Sequence, residues 1–312
     1  MEARRIRMNR SFKMMIRRVY ANRLMYLFIL PGFIWFLIYK YGPMYGVVIA
    51  FKDFKFSEGI LGSAWVGLKH FQYLFSMSDF YNIVRNTITI NLWNLLFGFT
   101  APIILALIMN EVYSLKFKKA VQLAVYFPHF LSWVVFGGII INMLNPSQGM
   151  INMAIKALGG KPVHFLAQSK YFVGIVVITS IIKEAGWGTI VYLAALAGVD
   201  MDQYEAAVID GANRWQKLIY ITLPGISSTI IIMLILRVGY LLDVGFEQIY
   251  VLYNPSVYSV GDVISTYIYR MGLQNMQFSL TTAIGLFQGA INFALIFTTN
   301  TLAKRFSDVS IW

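Results

Sequence analysis

The sequence predicts an all-α membrane protein with six transmembrane helices and both termini in the cytoplasm (N-in/C-in). Three observations carry this reading: a composition too apolar for water, six long apolar stretches, and a bias in where the basic residues fall. The 312 residues are 58% hydrophobic and only 13% charged. Soluble domains run at about 45–50% apolar and about 25% charged. The chain therefore has too few charges to cover a water-soluble globule of its size. That disfavours a disordered chain, a disulfide scaffold and a routine soluble enzyme together. With no cysteine, disulfides, thiolate metal sites and cysteine nucleophiles are excluded.

A helix crossing about 30 Å of hydrocarbon needs roughly 20 mostly apolar residues. Six stretches meet that length: 24–43, 87–110, 120–144, 171–198, 225–242 and 280–302. Helices are expected because lipid cannot satisfy exposed backbone groups. Segment 1–23 is basic and precedes the first span. It carries Arg4, Arg5, Arg7, Arg10, Lys13, Arg17, Arg18 and Arg23 against the single acid Glu2. The run that follows is long, holds Pro31-Gly32 and shows no small-residue cleavage site, so it reads as a retained helix rather than a signal peptide. Residues 44–86 form a long extracellular loop rich in aromatics, and 87–302 the transmembrane core. Residues 303–312 form a cytoplasmic tail. With the N-terminus inside, 15 Lys/Arg fall in inner segments and 8 in outer ones. Positive charge favours the cytoplasmic side, so topology accounts for the net charge of +12 without nucleic acid.

The inner segment 199–224 is the loop with most sequence character. Asp202 with Glu205, and Asn213 with Gln216, each read as a capping box opening a short helix. Gly211 can take the left-handed conformation that ends the first helix. Pro224 ends the second or opens the next span. Glu205, Val208 and Ile209 fall near one face of the first helix, with Ala206 and Ala207 beside them. Small residues let another surface approach closely, and one carboxylate can pair with a partner cation. The features fit a docking knob, and equally a solvated linker between spans.

The segment resembles the EAA loop of ATP-binding-cassette (ABC) importer permeases. It has Glu205-Ala206-Ala207, Asp210-Gly211-Ala212 and, ten residues after Gly211, Ile221-Thr222-Leu223-Pro224. A proline common four residues further on is Ser228 here. Tyr126-Phe127-Pro128-His129-Phe130-Leu131-Ser132-Trp133, Lys40-Tyr41-Gly42-Pro43-Met44-Tyr45 and Gly245-Phe246-Glu247-Gln248-Ile249-Tyr250 are similar to segments of a carbohydrate-importer subgroup. The resemblance implies a type I ABC importer permease fold and the translocation subunit of an oligosaccharide importer, in the plasma membrane of a Gram-positive bacterium. It implies that Glu205 pairs with a separate ATPase, that Ala206, Ala207, Asp210, Gly211 and Ala212 form the docked surface, and that Leu218, Ile221, Leu223 and Pro224 join the loop to the membrane domain. It further implies a second related permease subunit, two ATPase copies that use the ATP and Mg, and an external sugar-binding lipoprotein. No cofactor is expected in this chain, which lacks a phosphate-binding Gly-x-x-x-x-Gly-Lys-Ser/Thr loop.

A charge at a helix centre costs about 2.5–3.5 kcal/mol on insertion scales, so polar groups in spans face a cavity or a partner. Lys183, Glu184 and Trp187 on span four, Arg237 and Tyr240 on span five, and Asn292 on span six are the candidate substrate pathway. Aromatic faces with fixed hydrogen-bonding groups suit sugars. The competing assignment is structural: Lys183–Glu184 or Arg237–Asp243 as ion pairs, Asn292 as helix glue, and His129 with Trp133 as a packed pair. Two other function classes stay open. One is a permease of the same superfamily for peptides, amino acids or ions. The other is a membrane-embedded transferase, against which His70, His129 and His164 show no ligand spacing.

Overall fold

A computed structural model describes residues 20–307. Most of the predicted basic segment 1–23, and residues 308–312 of the tail, lie outside the described residues. The chain divides into two units at Leu68/Lys69.

In the first unit, span one runs Arg23–Phe51, past its predicted end at 43. Gly42-Pro43 does not stop it because the helix changes pitch there. A π-turn at Leu37–Tyr41 leads into a 3-10 run, Gly42–Phe51, with Pro43 in its first turn, where a missing N–H costs nothing. A short antiparallel pair follows, Lys52 opposite Trp65 and Asp53 opposite Ala64. Lys52 Nζ closes it by donating to the carbonyls of Ile60 (2.7 Å) and Leu61 (3.1 Å). Much of the predicted loop 44–86 is thus ordered helix and hairpin.

In the second unit the remaining five spans appear as three continuous helices and two bent ones. Span two is Ser78–Asn110, beginning nine residues before its predicted edge, with a π-turn at Asn94–Gly98. Span four is Ser169–Leu196 and span six Phe278–Arg305. Span three was expected as one helix and is two, Leu115–Phe130 and Trp133–Leu144, meeting at 103°. Span five is Ser227–Gly239, joined at 59° to Arg214–Gly225. Gly186 lets span four touch span three: a Cβ there would collide with the carbonyl oxygen of Val125.

Three apolar clusters hold these helices. One joins Ile83 of span two to Leu280 and Ile284 of span six. A second seats Ile249, Leu252, Val257 and Val263 against Phe172 and Val176, near the start of span four. The third, at the other end of span four, packs Tyr192 and Leu196 with Ala106 and Ile226. Buried amides tie backbone segments together between them. Asn91 Nδ2 donates to Leu241 O (2.7 Å), Gln248 Nε2 to Val176 O (2.7 Å), and Asn152 bridges Leu144, Asn145 and Val163. Asp262 and Arg270 form a two-pronged pair over the rings of Tyr258 and Tyr267. The hydrogen-bonded carboxylate drives the Arg270 guanidinium above its ordinary pKa.

Candidate functional site

The loop between spans four and five folds as two short helices whose ends are closed locally. The first is Met201–Ile209, capped two residues earlier than predicted. Asp200, not Asp202, accepts from the chain, through the Asp202 N–H at 3.0 Å. Its far end is a Schellman turn. Gly211 sits at φ +76°, its N–H bonds Val208 O (3.1 Å), and Ala212 N–H bonds Ala207 O (2.8 Å). Asn213 and Gln216 form the predicted reciprocal box at 2.9 and 2.7 Å. The helix then runs on through a π-turn at Leu218–Thr222 to Gly225, because Pro224 removes a donor and crowds the preceding turn.

Glu205, Ala206, Asp210 and Gly211 are exposed, together with Val208, Ile209 and Trp215. Ala207, Ala212, Leu218, Ile221 and Leu223 are half-buried, while Pro224 is exposed. The loop thus has an exposed face combining the Glu205 and Asp210 carboxylates, small residues and apolar side chains, and an inner face turned to the bundle. Tyr204, which sequence reasoning passed over, ties the two helices: its hydroxyl lies 2.8 Å from that of the buried Thr222. Val199 sits under Gly225 and joins the apolar cluster of spans two, four and five. The loop is therefore mechanically continuous with three spans.

The predicted pathway residues separate into two groups. Glu184, Trp187, Arg237 and Tyr240 line one cavity of about 510 Å³ between spans two, four and five. That volume lies within the ~300–1,000 Å³ range of small-molecule pockets. Glu184 stands at the middle of span four, hence mid-depth in the bundle. Its Oε2 lies 2.8 Å from His129 Nδ1, and the His129 ring stacks on Trp187 at 4.6 Å. His129 thus fixes both the carboxylate and the indole. The sequence offered it only as a partner of Trp133, but the break in span three removes the shared helical face on which that pairing rested. Among the described residues no carboxylate lies within 4 Å of Arg237, and the charges of Glu184 and Asp243 act on it from farther off.

Lys183 and Asn292 do not join that cavity. Lys183 is buried and donates to the carbonyls of Pro128 (3.4 Å), His129 (2.9 Å) and Leu131 (2.7 Å), with Nζ 5.3 Å from the Trp133 ring. It caps the C-terminal end of the first half of span three, where orphan carbonyls and the helix dipole both favour a cation. Glu184 Oε1, 3.7 Å away, balances the charge. Asn292 Oδ1 accepts from Leu242 N–H (3.3 Å) and Gln288 donates to Leu242 O (2.7 Å), so both serve the unwound end of span five.

The family of binding-protein-dependent transport system inner membrane components matches residues 98–308, which include the cavity and the loop. This chain belongs to that family. The permease is 44% identical over 291 residues to protein LplB of Bacillus subtilis, covering 93% of this chain and 92% of that one. It is 43% identical over 300 residues to the polygalacturonan/rhamnogalacturonan transport system permease protein YteP of the same organism, covering 96% and 94%. Among solved structures it is similar to a chain of a bacterial ABC transporter involved in importing the acidic polysaccharide alginate. That likeness has a TM-score of 0.88 and 42% identity, over 94% of this chain and 99% of that one. The permease accordingly has the fold of an ABC importer membrane subunit.

Proposed function

We propose that this permease is one membrane subunit of an ATP-driven importer whose cargo is a carboxylate-bearing oligosaccharide. It works with a second, related permease subunit, two ATPase subunits docked on the loop 199–224, and an external binding protein that delivers the sugar. Both termini lie in the cytoplasm, 44–86 is external and 303–312 is a cytoplasmic tail. Glu205 pairs with an ATPase cation. A desolvated interfacial charge pair couples by about 1.5–7 kcal/mol, against about 0–1 for an exposed one. Closure of the ATPase dimer moves the docked helix, and the Tyr204–Thr222 contact and the Val199–Gly225 packing pass that motion to spans four and five.

The observation that carries the cargo assignment is the mid-depth cavity. Trp187 offers a ring face for the apolar side of a sugar, Tyr240 a hydroxyl and Arg237 a cation with no carboxylate within 4 Å. The Glu184 carboxylate is held by His129 and Lys183 and reaches Arg237 only at longer range than an ion pair. A broken helix beside a mid-depth cavity is also a common build for transporter sites. The relatives support the same class, since alginate is acidic and YteP serves polygalacturonan and rhamnogalacturonan. The test is competition for uptake by the intact transporter, using galacturonate and neutral arabinose oligosaccharides of equal length. Stronger competition by the acidic series is expected, and equal competition overturns an acidic cargo.

A further inference from the structure

The connection between spans five and six, residues 240–277, carries a strip of aromatic rings only partly taken up by packing: Tyr253 rests on the second apolar cluster and Tyr258 lies under Arg270. In helix Phe246–Leu252 the residues Gln248, Ile249 and Leu252 are buried. Phe246, Tyr250 and then Tyr253 recur at helical spacing on the other side. Ring centroids run Phe246–Tyr250 5.1 Å, Tyr250–Tyr253 6.0 Å and Tyr253–Tyr258 5.0 Å. Tyr269 touches both Phe246 and Tyr250 at 5.1 Å. All five rings retain exposed surface, and Tyr250 is 40% exposed.

The backbone beneath the strip is pinned. Gln248 Nε2 bonds Val176 O and Thr179 Oγ1, Asn254 Nδ2 bonds Leu166 O (2.9 Å), and Arg270 pairs with Asp262. These anchors lie near the start of span four, whereas the docking loop follows its end. The 28-residue helix between them is about 40 Å long. Phe246 and Tyr269 also wall a second cavity of about 600 Å³, shared with Phe278 of span six and completed by Asp243, Ser265 and Thr281. Interfacial aromatic belts are the competing explanation for exposed tyrosines. A lipid-facing surface, however, does not gather in one hollow a carboxylate and two hydroxyl oxygens that can still accept, the Ser265 and Thr281 protons going to the Val244, Gln277 and Phe278 carbonyls. Burial and the neighbouring Tyr258 push the Tyr253 phenol up to about 12, so it stays a neutral hydrogen-bonding hydroxyl.

Building on the oligosaccharide reading above, we propose that this strip and its hollow form a second sugar subsite. Pyranose rings stack on Phe246, Tyr250 and Tyr269 while Asp243, Ser265 and Thr281 take their hydroxyls. The inner cavity at Glu184 and Arg237 holds one end of the cargo, and this subsite holds the units that do not fit there. The subsite therefore acts on chain length rather than on transport as such.

The test is uptake by the intact transporter of a graded series of galacturonate oligosaccharides, disaccharide to pentasaccharide. The variants are Tyr250→Leu with Tyr269→Leu, and the pair Tyr250→Phe with Tyr269→Phe. The leucine pair is expected to raise the KM of the pentasaccharide about 10-fold, two stacking contacts being lost, and to leave the disaccharide unchanged. The phenylalanine pair, which keeps the rings, restores most of that loss. Equal behaviour of the leucine pair and the unmodified transporter at every length overturns the subsite in favour of an interfacial belt. An equal fall at every length overturns it in favour of a structural role. If the unmodified transporter takes up no oligosaccharide at all, the cargo reading fails and this subsite with it.

Discussion

Two helix ends in this permease are closed in opposite ways. The helix Met201–Ile209 is closed by its own neighbours: Asp200 in front, then Gly211 and Ala212 behind. The helix Leu115–Phe130 is closed by Lys183, more than 50 residues away on another span. The first end lies in an exposed loop, where water and short-range side chains can satisfy the backbone. The second lies at mid-depth, where every freed carbonyl needs a protein donor. A local cap makes a self-contained rigid knob that can be carried about as a unit. A distant cap instead welds two spans together, so that a break in the helix is held open beside the cavity.

The sharpest way to break this contrast is Lys183→Met. It leaves the part-buried carbonyls of His129 and Leu131 without this donor, while Pro128 O keeps the Leu131 N–H, and it leaves Glu184 without its neighbouring cation. At about 1–3 kcal/mol for each unmet group, the expected loss is about 2 kcal/mol or more. It should appear as a large drop in the thermal midpoint of the detergent-solubilised protein. An unchanged midpoint would mean that the break is held by packing alone. Next is Gly211→Val, which forces a branched side chain to φ +76° at about 1–2 kcal/mol. Because the cap is local, the thermal midpoint of the bundle should hardly move while transport falls. A loss of global stability equal to that of Lys183→Met would erase the distinction between the two ends. The smallest effect is expected from Tyr204→Phe, which removes one hydroxyl contact worth about 0.5–1.5 kcal/mol. It should lower uptake per ATP hydrolysed by a few-fold in reconstituted transporter without reducing assembly.

The same contrast explains what could be read from the chain directly. Six spans and the two-helix loop were legible because apolar runs, Gly211 and the Asn213–Gln216 box are signals contained within a few residues. So was the gathering of Glu184, Trp187, Arg237 and Tyr240, since the cost of polar groups in lipid marks them for an interior cavity. The 103° break was not legible. Ser132 serves as the cap of the second half, but a lone serine after a proline is too common to mark a break. Lys183 was misplaced for the same reason: its three acceptors are backbone atoms that no side-chain pattern reveals. Asn292 was legible as helix glue but not as the partner of Leu242, because the unwinding at the end of span five is set by packing against span six. Span one outran its predicted end because a change of helical pitch absorbed Pro43.

The central claim is that the exposed face around Glu205 receives the motion of an ATPase and passes it to the spans. The measurement that tests it most directly is sugar uptake alongside ATP hydrolysis in assembled transporter carrying Glu205→Lys. The account predicts that the complex still purifies intact and still hydrolyses ATP, but that uptake falls to background. Uptake at the unmodified level in the intact complex would contradict it.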